Sequence, residues 1–273
     1  ASGAYPGTFQ RCLFMKLQDC VCIITGGGRG LGRDMALAFA REGANMAVCG
    51  TTEPALNSTA AEIRELGARA VPIVCDVSDE DAVARMVAAT LAEFGRIDVL
   101  VNNAGIIGPT APVTEVRREE WDETIAVNLT GAFLCARAVL PQMAERRSGK
   151  IINISSIAGH KGYPLRIPYS VSKWGMIGLS QTLAAEWGHY NIQVNTISPG
   201  PVRGERIDKV IQRRAEQSNR PLEEVRREYL SKLSLERFVE ADHIAAMAVF
   251  LASAASDSIT GEVIKVSSGY GLT

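Results

Sequence analysis

The amino-acid sequence predicts an α/β protein in which helices cover both faces of a parallel sheet. Short apolar stretches alternate with longer amphipathic stretches over most of the chain, from residue 20 to residue 267, the pattern that βα units produce. No linker, repeat or low-complexity stretch divides the chain, so we expect one domain. Glycines fall where helices should end and strands begin, namely at Gly43, Gly67, Gly95, Gly149 and Gly261.

The first strand is expected at 20–25, where Cys-Val-Cys-Ile-Ile-Thr is apolar and rich in residues that favour strands. A glycine-rich turn follows, and then an amphipathic helix over 30–42. The same alternation predicts further strands at 45–50, 70–75, 97–102, 149–155, 192–197 and 262–267. It predicts further helices at 53–66, 79–94, 115–147, 170–190 and 241–253.

The segment 200–238 departs from this alternation. It is highly charged and carries two weak helical patterns on either side of Pro221. One interpretation is a solvated helical surface. The other is a helical lid on the substrate side, because insertions beside the carboxyl ends of strands border the ligand crevice in such sheets. The sequence favours neither interpretation.

Charge and composition exclude several classes of function. The chain has 29 Lys and Arg against 30 Asp and Glu, a net charge of −1, and a pI of about 6.4. Neither nucleic acid nor an anionic membrane is therefore expected as a partner. No apolar run approaches the roughly 18 residues that span a bilayer, so no membrane segment is predicted.

Cysteine and histidine spacing gives no reason to expect a metal. The six cysteines include no Cys-x-x-Cys pair, and the three histidines lie far apart. Residues 1–14 lack periodicity and signal-peptide features, so we expect a disordered extension before a domain over 15–273. Without a signal peptide, and with unpaired cysteines, the expected location is the cytoplasm.

The glycine-rich turn has the composition of an anion site. Gly26-x-x-x-Gly30-x-Gly32 stands between the first expected strand and the first helix. At such a junction, backbone N–H groups and the positive end of the helix face a pyrophosphate. Glycine is required because a Cβ would block the close approach or the tight turn. The spacing differs from the commoner G-x-G-x-x-G motif.

A second pattern suggests proton transfer. Tyr169 and Lys173 are four residues apart on an expected helix, so their side chains project from one face. An ammonium beside a phenol favours the phenolate and so lowers the tyrosine pKa from its usual value near ~10. Ser156, thirteen residues before Tyr169, could donate a hydrogen bond to a substrate oxygen.

These patterns together resemble the short-chain dehydrogenase/reductase family over residues 17–268. The resemblance implies a doubly wound, seven-stranded Rossmann fold and a homotetramer or homodimer. The motifs that carry it, in the family's order and spacing, are Thr25-Gly26-Gly27-Gly28-Arg29-Gly30-Leu31-Gly32, Asn102-Asn103-Ala104-Gly105, Asn128, Ser156, Tyr169-x-x-x-Lys173 and Pro199-Gly200.

The resemblance also implies roles for single residues. Tyr169 would be the catalytic acid/base, Lys173 would lower its pKa and bind the nicotinamide ribose, and Ser156 would orient the substrate oxygen. Asn128 would hold a water that links Lys173 to solvent. The residues implied to contact the cofactor are Gly26, Gly28, Arg29, Gly30, Leu31, Gly32, Thr51, Thr52, Asp76, Val77, Asn103, Ala104, Gly105, Tyr169, Lys173, Pro199, Gly200 and Val202.

The end of the second strand favours NADP over NAD. An NAD enzyme would place an acidic residue there to bind the ribose 2′-OH, but Gly50 occupies the position. Thr51 and Thr52 can donate hydrogen bonds to a 2′-phosphate, and Arg29 can pair with it. The second-strand arginine common in NADP-dependent members is absent, so NAD stays the alternative.

The expected function is hydride transfer between NADP and the CH–OH or C=O group of a small polar substrate. The alternatives are an NAD-linked dehydrogenase of a sugar or hydroxy acid, an epimerase or dehydratase, and a non-catalytic dinucleotide-binding regulator. Arg166, Arg203 and Arg206 could approach the substrate, which would suit an anionic or polyhydroxylated ligand.

Overall fold

The protein was analysed as a computed structural model that describes residues 16–271. The extension expected at residues 1–14 lies outside this range. Within residues 16–271 the chain forms one parallel sheet of seven strands. The strands are β1 (Val21–Thr25), β2 (Asn45–Gly50), β3 (Ala70–Val74), β4 (Val99–Asn102), β5 (Gly149–Ile154), β6 (Ile192–Pro199) and β7 (Val263–Val266).

Helices connect the strands in the expected positions. The first three are α1 (Gly30–Arg41), α2 (Glu53–Glu65) and α3 (Glu80–Phe94). Between β4 and β5 lie α4 (Arg118–Ile125) and α5 (Gly131–Arg146), and α6 (Ile167–Trp187) leads to β6. The later helices are α7 (Glu205–Ser218), α8 (Leu222–Ser231) and α9 (Ala241–Ala252).

The strand order is β3-β2-β1-β4-β5-β6-β7, which confirms the predicted doubly wound, seven-stranded sheet. Consecutive residues of β1 bury opposite faces, as period-two strand geometry requires. Cys22 and Ile24 pack in the core under α1, α2 and α9. Ile23 packs in the core under α3, α5 and α6. The order reverses between β1 and β4, so a crevice opens at their carboxyl ends, where such sheets bind ligands.

The prediction of a single helix over 115–147 is wrong in one respect. A π-helical turn, Ala126–Thr130, separates α4 from α5. The side chain of Asn128 in that turn bonds to the backbone of Ile106: its Oδ1 accepts from the amide at 2.7 Å and its Nδ2 donates to the carbonyl at 3.0 Å. This tertiary contact accompanies the extra residue in the turn, and π-turns of this kind occur frequently at functional sites.

The joined helical stretch Arg118–Arg146 also corrects the expectation about apolar runs. It contains an 18-residue window of mean hydropathy 1.4, which by length and composition alone would suffice to cross a membrane. Of that window, 50% is buried inside the fold, and the core helices of globular domains meet the same criterion. It is the one helix of residues 16–271 that does so.

The charged segment 200–238 folds into two helices, α7 and α8, with an apolar cluster of their own. Val202 and Val239, at the two ends of the segment, form a parallel β-bridge. The entry and the exit of the segment therefore lie side by side next to the sheet. The cluster consists of Ile207, Ile211, Ala215, Val225, Tyr229, Leu233 and Phe238.

Five cysteines in the described range, Cys20, Cys22, Cys49, Cys75 and Cys135, are free thiols. Burial is the largest influence on Cys22 and Cys49 and raises the pKa of both thiols well above the usual value, so they stay protonated as small apolar residues. No group of three His, Cys, Asp or Glu with metal-binding geometry occurs in residues 16–271. The absence of a metal stays a prediction.

Candidate active site

The glycine-rich turn shapes the floor of the crevice. Gly26 has a φ of +66°, and a Cβ on Gly32 would lie 2.1 Å from the carbonyl oxygen of Gly26, far inside van der Waals contact. Helix α1 begins here with no side-chain cap and no acidic residue in its first turn. Its first amides are therefore free to bind an anion. This geometry fits the pyrophosphate of a dinucleotide.

A methyl group at Gly32 tests this geometry. We expect Gly32→Ala to lower thermal stability and to weaken dinucleotide binding at least tenfold, because the turn must open to relieve the clash with Gly26. Differential scanning fluorimetry and cofactor titration measure the two effects. The matched control is Gly178→Ala in α6, where an added Cβ meets nothing within 4 Å. It should be neutral or stabilise by about 0.5–1 kcal/mol. Wild-type cofactor affinity in Gly32→Ala would contradict the interpretation.

Thr25 and Asn103 hold the glycine turn against β4. The Thr25 hydroxyl accepts hydrogen bonds from the amides of Asn103 and Ala104, both at 3.0 Å. The Asn103 Nδ2 donates to the carbonyl of Thr25 at 2.8 Å and to that of Gly26 at 3.3 Å. The Asn103 amide is thus used inside the protein, and its side chain positions the turn. The sequence motif contained Thr25 without assigning it this function.

At the outer end of the crevice, the end of β2 carries no acidic side chain. Gly50 is its last residue, and the exposed Thr51 and Thr52 follow. Thr52 precedes α2 but its side chain forms no cap hydrogen bond. The exposed Arg29 has no ion-pair partner among residues 16–271. The donors of these side chains are therefore not used within residues 16–271.

The remaining cofactor candidates lie along the same carboxyl edge. Asp76 uses Oδ1 to accept from the amide and hydroxyl of Ser78, at 2.9 and 2.7 Å, while Val77 is buried. Gly200 donates its amide to Val266 at 2.9 Å, directly after β6 ends at Pro199. The Val202–Val239 bridge uses the carbonyl of Pro201 and the amide of Arg203, so the polar backbone atoms of Val202 point away from it.

Asn128 lies fully buried beneath the site. Besides its bonds to Ile106, its Nδ2 donates to the hydroxyl of Ser172 at 3.2 Å, and that hydroxyl donates to the carbonyl of Tyr169 at 2.7 Å. A Cβ built on Gly105 would lie 3.1 Å from Asn128 Oδ1 and 3.7 Å from Lys173 Nζ. The two polar groups therefore converge over Gly105, where a side chain would crowd Asn128 Oδ1.

Ser156, Tyr169 and Lys173 meet at the carboxyl end of β5. Ser156 begins the turn after the strand, where its Oγ accepts from the amide of Ala158 at 3.1 Å. Lys173 is 4% exposed, and its Nζ donates to the carbonyl of Ile154 at 2.8 Å. That Nζ lies 5.8 Å from the centre of the Tyr169 ring. The structure thus brings all four predicted catalytic residues to one place.

The electrostatics of the cluster favour the ionised phenol. Burial is the largest influence on Tyr169 and by itself raises the phenol pKa, but Arg206, Lys173, the Ser156 hydroxyl and Arg166 together lower it below the ordinary value. Burial disfavours the charged form of Lys173 as well, and for an ammonium group this lowers the pKa, here to about 8. The neighbouring Tyr169 opposes that effect only in part. The pair can therefore exchange a proton nearer to neutral pH than free tyrosine can.

Two of the three arginines named from the sequence face Tyr169, and one does not. The guanidinium carbons of Arg166 and Arg206 lie over the Tyr169 ring at 5.0 and 5.9 Å from its centre. Arg203 instead pairs with Glu240 at 2.9 Å on the surface. The sequence could not show which of the three arginines would face Tyr169, because Glu240, the partner of Arg203, is distant in the chain.

Helices α7 and α8 border the crevice opposite Tyr169. Arg206, near the start of α7, points Nη1 at the carbonyl of Gly105 at 3.4 Å. Gln217 of α7 donates to the carbonyl of Thr110. The hydroxyl of Tyr229 in α8 lies 3.3 Å from that of Tyr163. The segment thus contacts loops that follow β4 and β5.

Known proteins are similar to this chain in sequence and in fold. The short chain dehydrogenase family model matches residues 20–215. The chain is 36% identical over 255 residues to 3-oxoacyl-[acyl-carrier-protein] reductase FabG of Thermotoga maritima, covering 93% of this chain and 99% of the relative. Two similar solved structures are NAD⁺-bound xylitol dehydrogenase (TM-score 0.91, 33% identity, 93% and 100% covered) and an actinorhodin polyketide ketoreductase variant with NADPH (TM-score 0.89, 32% identity, 93% and 98% covered).

The chain therefore belongs to the short-chain dehydrogenase/reductase family. It is an oxidoreductase that uses a nicotinamide cofactor and acts on CH–OH groups or the corresponding carbonyls. Because the chain is an oxidoreductase, the alternative of a non-catalytic dinucleotide-binding regulator is discarded.

Proposed function

We propose that this protein is an NADP-linked oxidoreductase of a small polar alcohol or ketone, with Tyr169 as the acid/base. The observation that carries the proposal is the Tyr169 phenol, half-buried between one ammonium and two guanidinium groups that lower its pKa. Such a phenol can accept a proton from an alcohol or donate one to a carbonyl oxygen at a lower pH than free tyrosine can. Bound NADP supplies the hydride acceptor or donor.

The other residues of the cluster support this proton transfer. Ser156 donates to the substrate oxygen and orients it toward Tyr169. Lys173 stabilises the phenolate, and Asn128 fixes the π-helical turn beside Lys173. In the oxidation Tyr169 would accept the O–H proton of the alcohol, and a bound nicotinamide cofactor would supply the hydride acceptor. In the reduction each transfer runs backwards.

The preference for NADP rests on the end of β2. Gly50 places no carboxylate against a 2′-phosphate, and Thr51, Thr52 and Arg29 leave donors for one. Arginine binds phosphate through charge-assisted hydrogen bonds that are roughly twice as strong as neutral ones. A bare ribose 2′-OH has no charge for Arg29 to bind.

Arg29→Ala is the test of this preference. We expect kcat/KM for NADP to fall at least tenfold and kcat/KM for NAD to change less than twofold, because only the 2′-phosphate would lose its partner. Steady-state kinetics followed by nicotinamide absorbance measure both. The matched control is Arg33→Ala on the same helix, where Arg33 bonds to Glu62 through Nε at 3.1 Å. Equal or better wild-type kcat/KM with NAD would overturn the preference.

The second candidate is an NAD-linked dehydrogenase of a polyol. The NAD⁺-bound xylitol dehydrogenase with the same fold favours it. The cofactor kinetics above separate the two candidates, since a polyol dehydrogenase of this kind would use NAD and be insensitive to the loss of Arg29.

Three further expectations stay predictions. We propose that α7 and α8 act as the lid, supported by their contacts with Gly105, Thr110 and Tyr163. We propose a homotetramer or homodimer, supported by the exposed large side chains of Phe133 and Trp174 on α5 and α6. A cytoplasmic location is likewise kept as a proposal.

A further inference from the structure

Arg166 is a buried charge without a carboxylate. Its side chain belongs to a residue that is only 4% exposed. Nη2 donates to the carbonyl of Ile107 at 2.7 Å, whereas Nε is buried and has no hydrogen-bond partner in the described range. A buried ionised group without a partner is costly, because the protein does not replace the hydration that the charge has lost. Among residues 16–271 no carboxylate pairs with this arginine, and its acidic neighbours are tyrosine phenols, which carry no charge while they are protonated.

Arg206 faces the same place from the other side of the crevice. It forms no ion pair within residues 16–271, in contrast to Arg203 with Glu240. Arg166 comes from the start of α6 and Arg206 from α7, so two independent elements direct guanidinium groups at the Tyr169 ring. Leu165, just before Arg166, has a φ of +67°. A left-handed leucine is strained, so the fold tolerates strain where Arg166 turns inward.

We propose that Arg166 and Arg206 bind the carboxylate of the substrate, and that the substrate is a short hydroxy acid or the corresponding oxo acid. This inference rests on the proposed function. Both guanidinium groups lie over the ring whose hydroxyl serves the reacting oxygen. Because both guanidinium carbons lie within 5.9 Å of the ring centre, the carboxylate that they bind would lie near the reacting carbon, as in a short acid. A guanidinium offers a planar pair of donors that matches a carboxylate.

The chemistry of the lining argues against a neutral polyol. Arginine is a donor only, so Arg166 and Arg206 cannot accept hydrogen bonds from several hydroxyl groups. The nearby hydroxyls of Tyr163 and Tyr229 already face each other at 3.3 Å. A neutral ligand would leave Arg166 without an anion whenever Tyr169 is protonated, whereas a carboxylate neutralises it in both ionisation states of the phenol.

The competing role for both arginines is to act only as counterions of the Tyr169 phenolate. In that case their removal shifts the pH profile for every substrate equally. A carboxylate site predicts instead a selective loss for acids. The ratio of kcat/KM for an acid to that for its amide separates the two roles, because the amide has the same shape without the charge.

The experiment uses the NADP⁺-saturated enzyme and has two arms. Isothermal titration compares oxamate with its neutral isostere oxamide, and kinetics compare short 2- and 3-hydroxy acids with their amides and with neutral polyols. We expect at least a tenfold preference for the anion in both arms. Arg166→Gln and Arg206→Gln should reduce that preference to below threefold, while Arg203→Gln keeps it. If Arg166→Gln does not fold, Arg206→Gln at an exposed position carries the test.

The two arms distinguish failure of this inference from failure of the proposed function. Turnover of polyols or amides that equals turnover of acids would overturn the carboxylate site and leave the oxidoreductase proposal intact. A uniform shift in the pH profile with an unchanged ratio would also overturn it. Selective oxamate binding that depends on Arg166 and Arg206, without turnover of any alcohol or carbonyl, would support the carboxylate site and refute the proposed reaction.

Discussion

Replacing Tyr169 with phenylalanine is expected to lower kcat by about 10²–10⁴-fold, the usual contribution of a positioned acid or base. The ring and its packing beneath Arg166 are retained, so cofactor affinity should change little. Nicotinamide absorbance measures turnover, and cofactor titration measures affinity. Tyr190→Phe is the matched control, because Tyr190 packs on the distant Trp187 ring at 5.5 Å. Full turnover in Tyr169→Phe would refute its assignment as acid/base.

The pH dependence of the wild type follows from the same group. Oxidation needs the phenolate, so its kcat/KM should rise with pH and level off above the Tyr169 pKa. Reduction needs the protonated phenol, so its kcat/KM should fall across the same range. Because Arg206, Lys173, Ser156 and Arg166 outweigh burial, both transitions should lie below the ordinary tyrosine pKa of about 10. The transition should be absent from any residual activity of Tyr169→Phe.

Lys173→Met is the second substitution with a large expected effect. Methionine keeps the length of the side chain but removes the charge beside Tyr169, and the Ile154 carbonyl loses its donor at 2.8 Å. We expect kcat/KM to fall by at least about 10²-fold. The transition for oxidation should also move to higher pH, because one of the cations that lower the phenol pKa is gone.

The control for Lys173→Met is Lys150→Met at the opposite, amino end of β5. Lys150 pairs with Asp257 at 2.8 Å and has no contact with the crevice, so its loss should affect stability alone. Pre-steady-state and steady-state rates across the pH range provide the measurement. An unchanged pH profile in Lys173→Met would show that Lys173 does not set the ionisation of Tyr169.

The strands and the proximity of Tyr169 to Lys173 were predictable because both depend on local patterns. The period of apolar residues located each strand to within about two residues, as β1 and β5 illustrate. Glycine marks positions where the backbone leaves no room for a side chain. At Gly32, for example, an added Cβ would clash with Gly26 of the same turn. The four-residue spacing of Tyr169 and Lys173 is likewise a property of one helix.

The parts that the sequence did not predict depend on contacts between distant segments. The π-helical turn at Asn128 accompanies a contact with Ile106, across 22 residues of chain. Arg203 pairs on the surface with Glu240, 37 residues away in the chain, whereas Arg166 is buried and donates to the carbonyl of Ile107, 59 residues away. Periodicity reports which face of an element is apolar. It contains no information on which charged side chain a remote loop will cover.

The Val202–Val239 bridge has a consequence for how this enzyme could diversify. The bridge joins the two ends of the segment that carries α7 and α8, and that segment has its own apolar cluster. The segment is therefore an insertion beside the sheet. Loop-closure entropy grows only slowly with length. Related enzymes could therefore replace this insertion, which includes Arg206, as one unit, while the glycine turn, Tyr169 and Lys173 are retained.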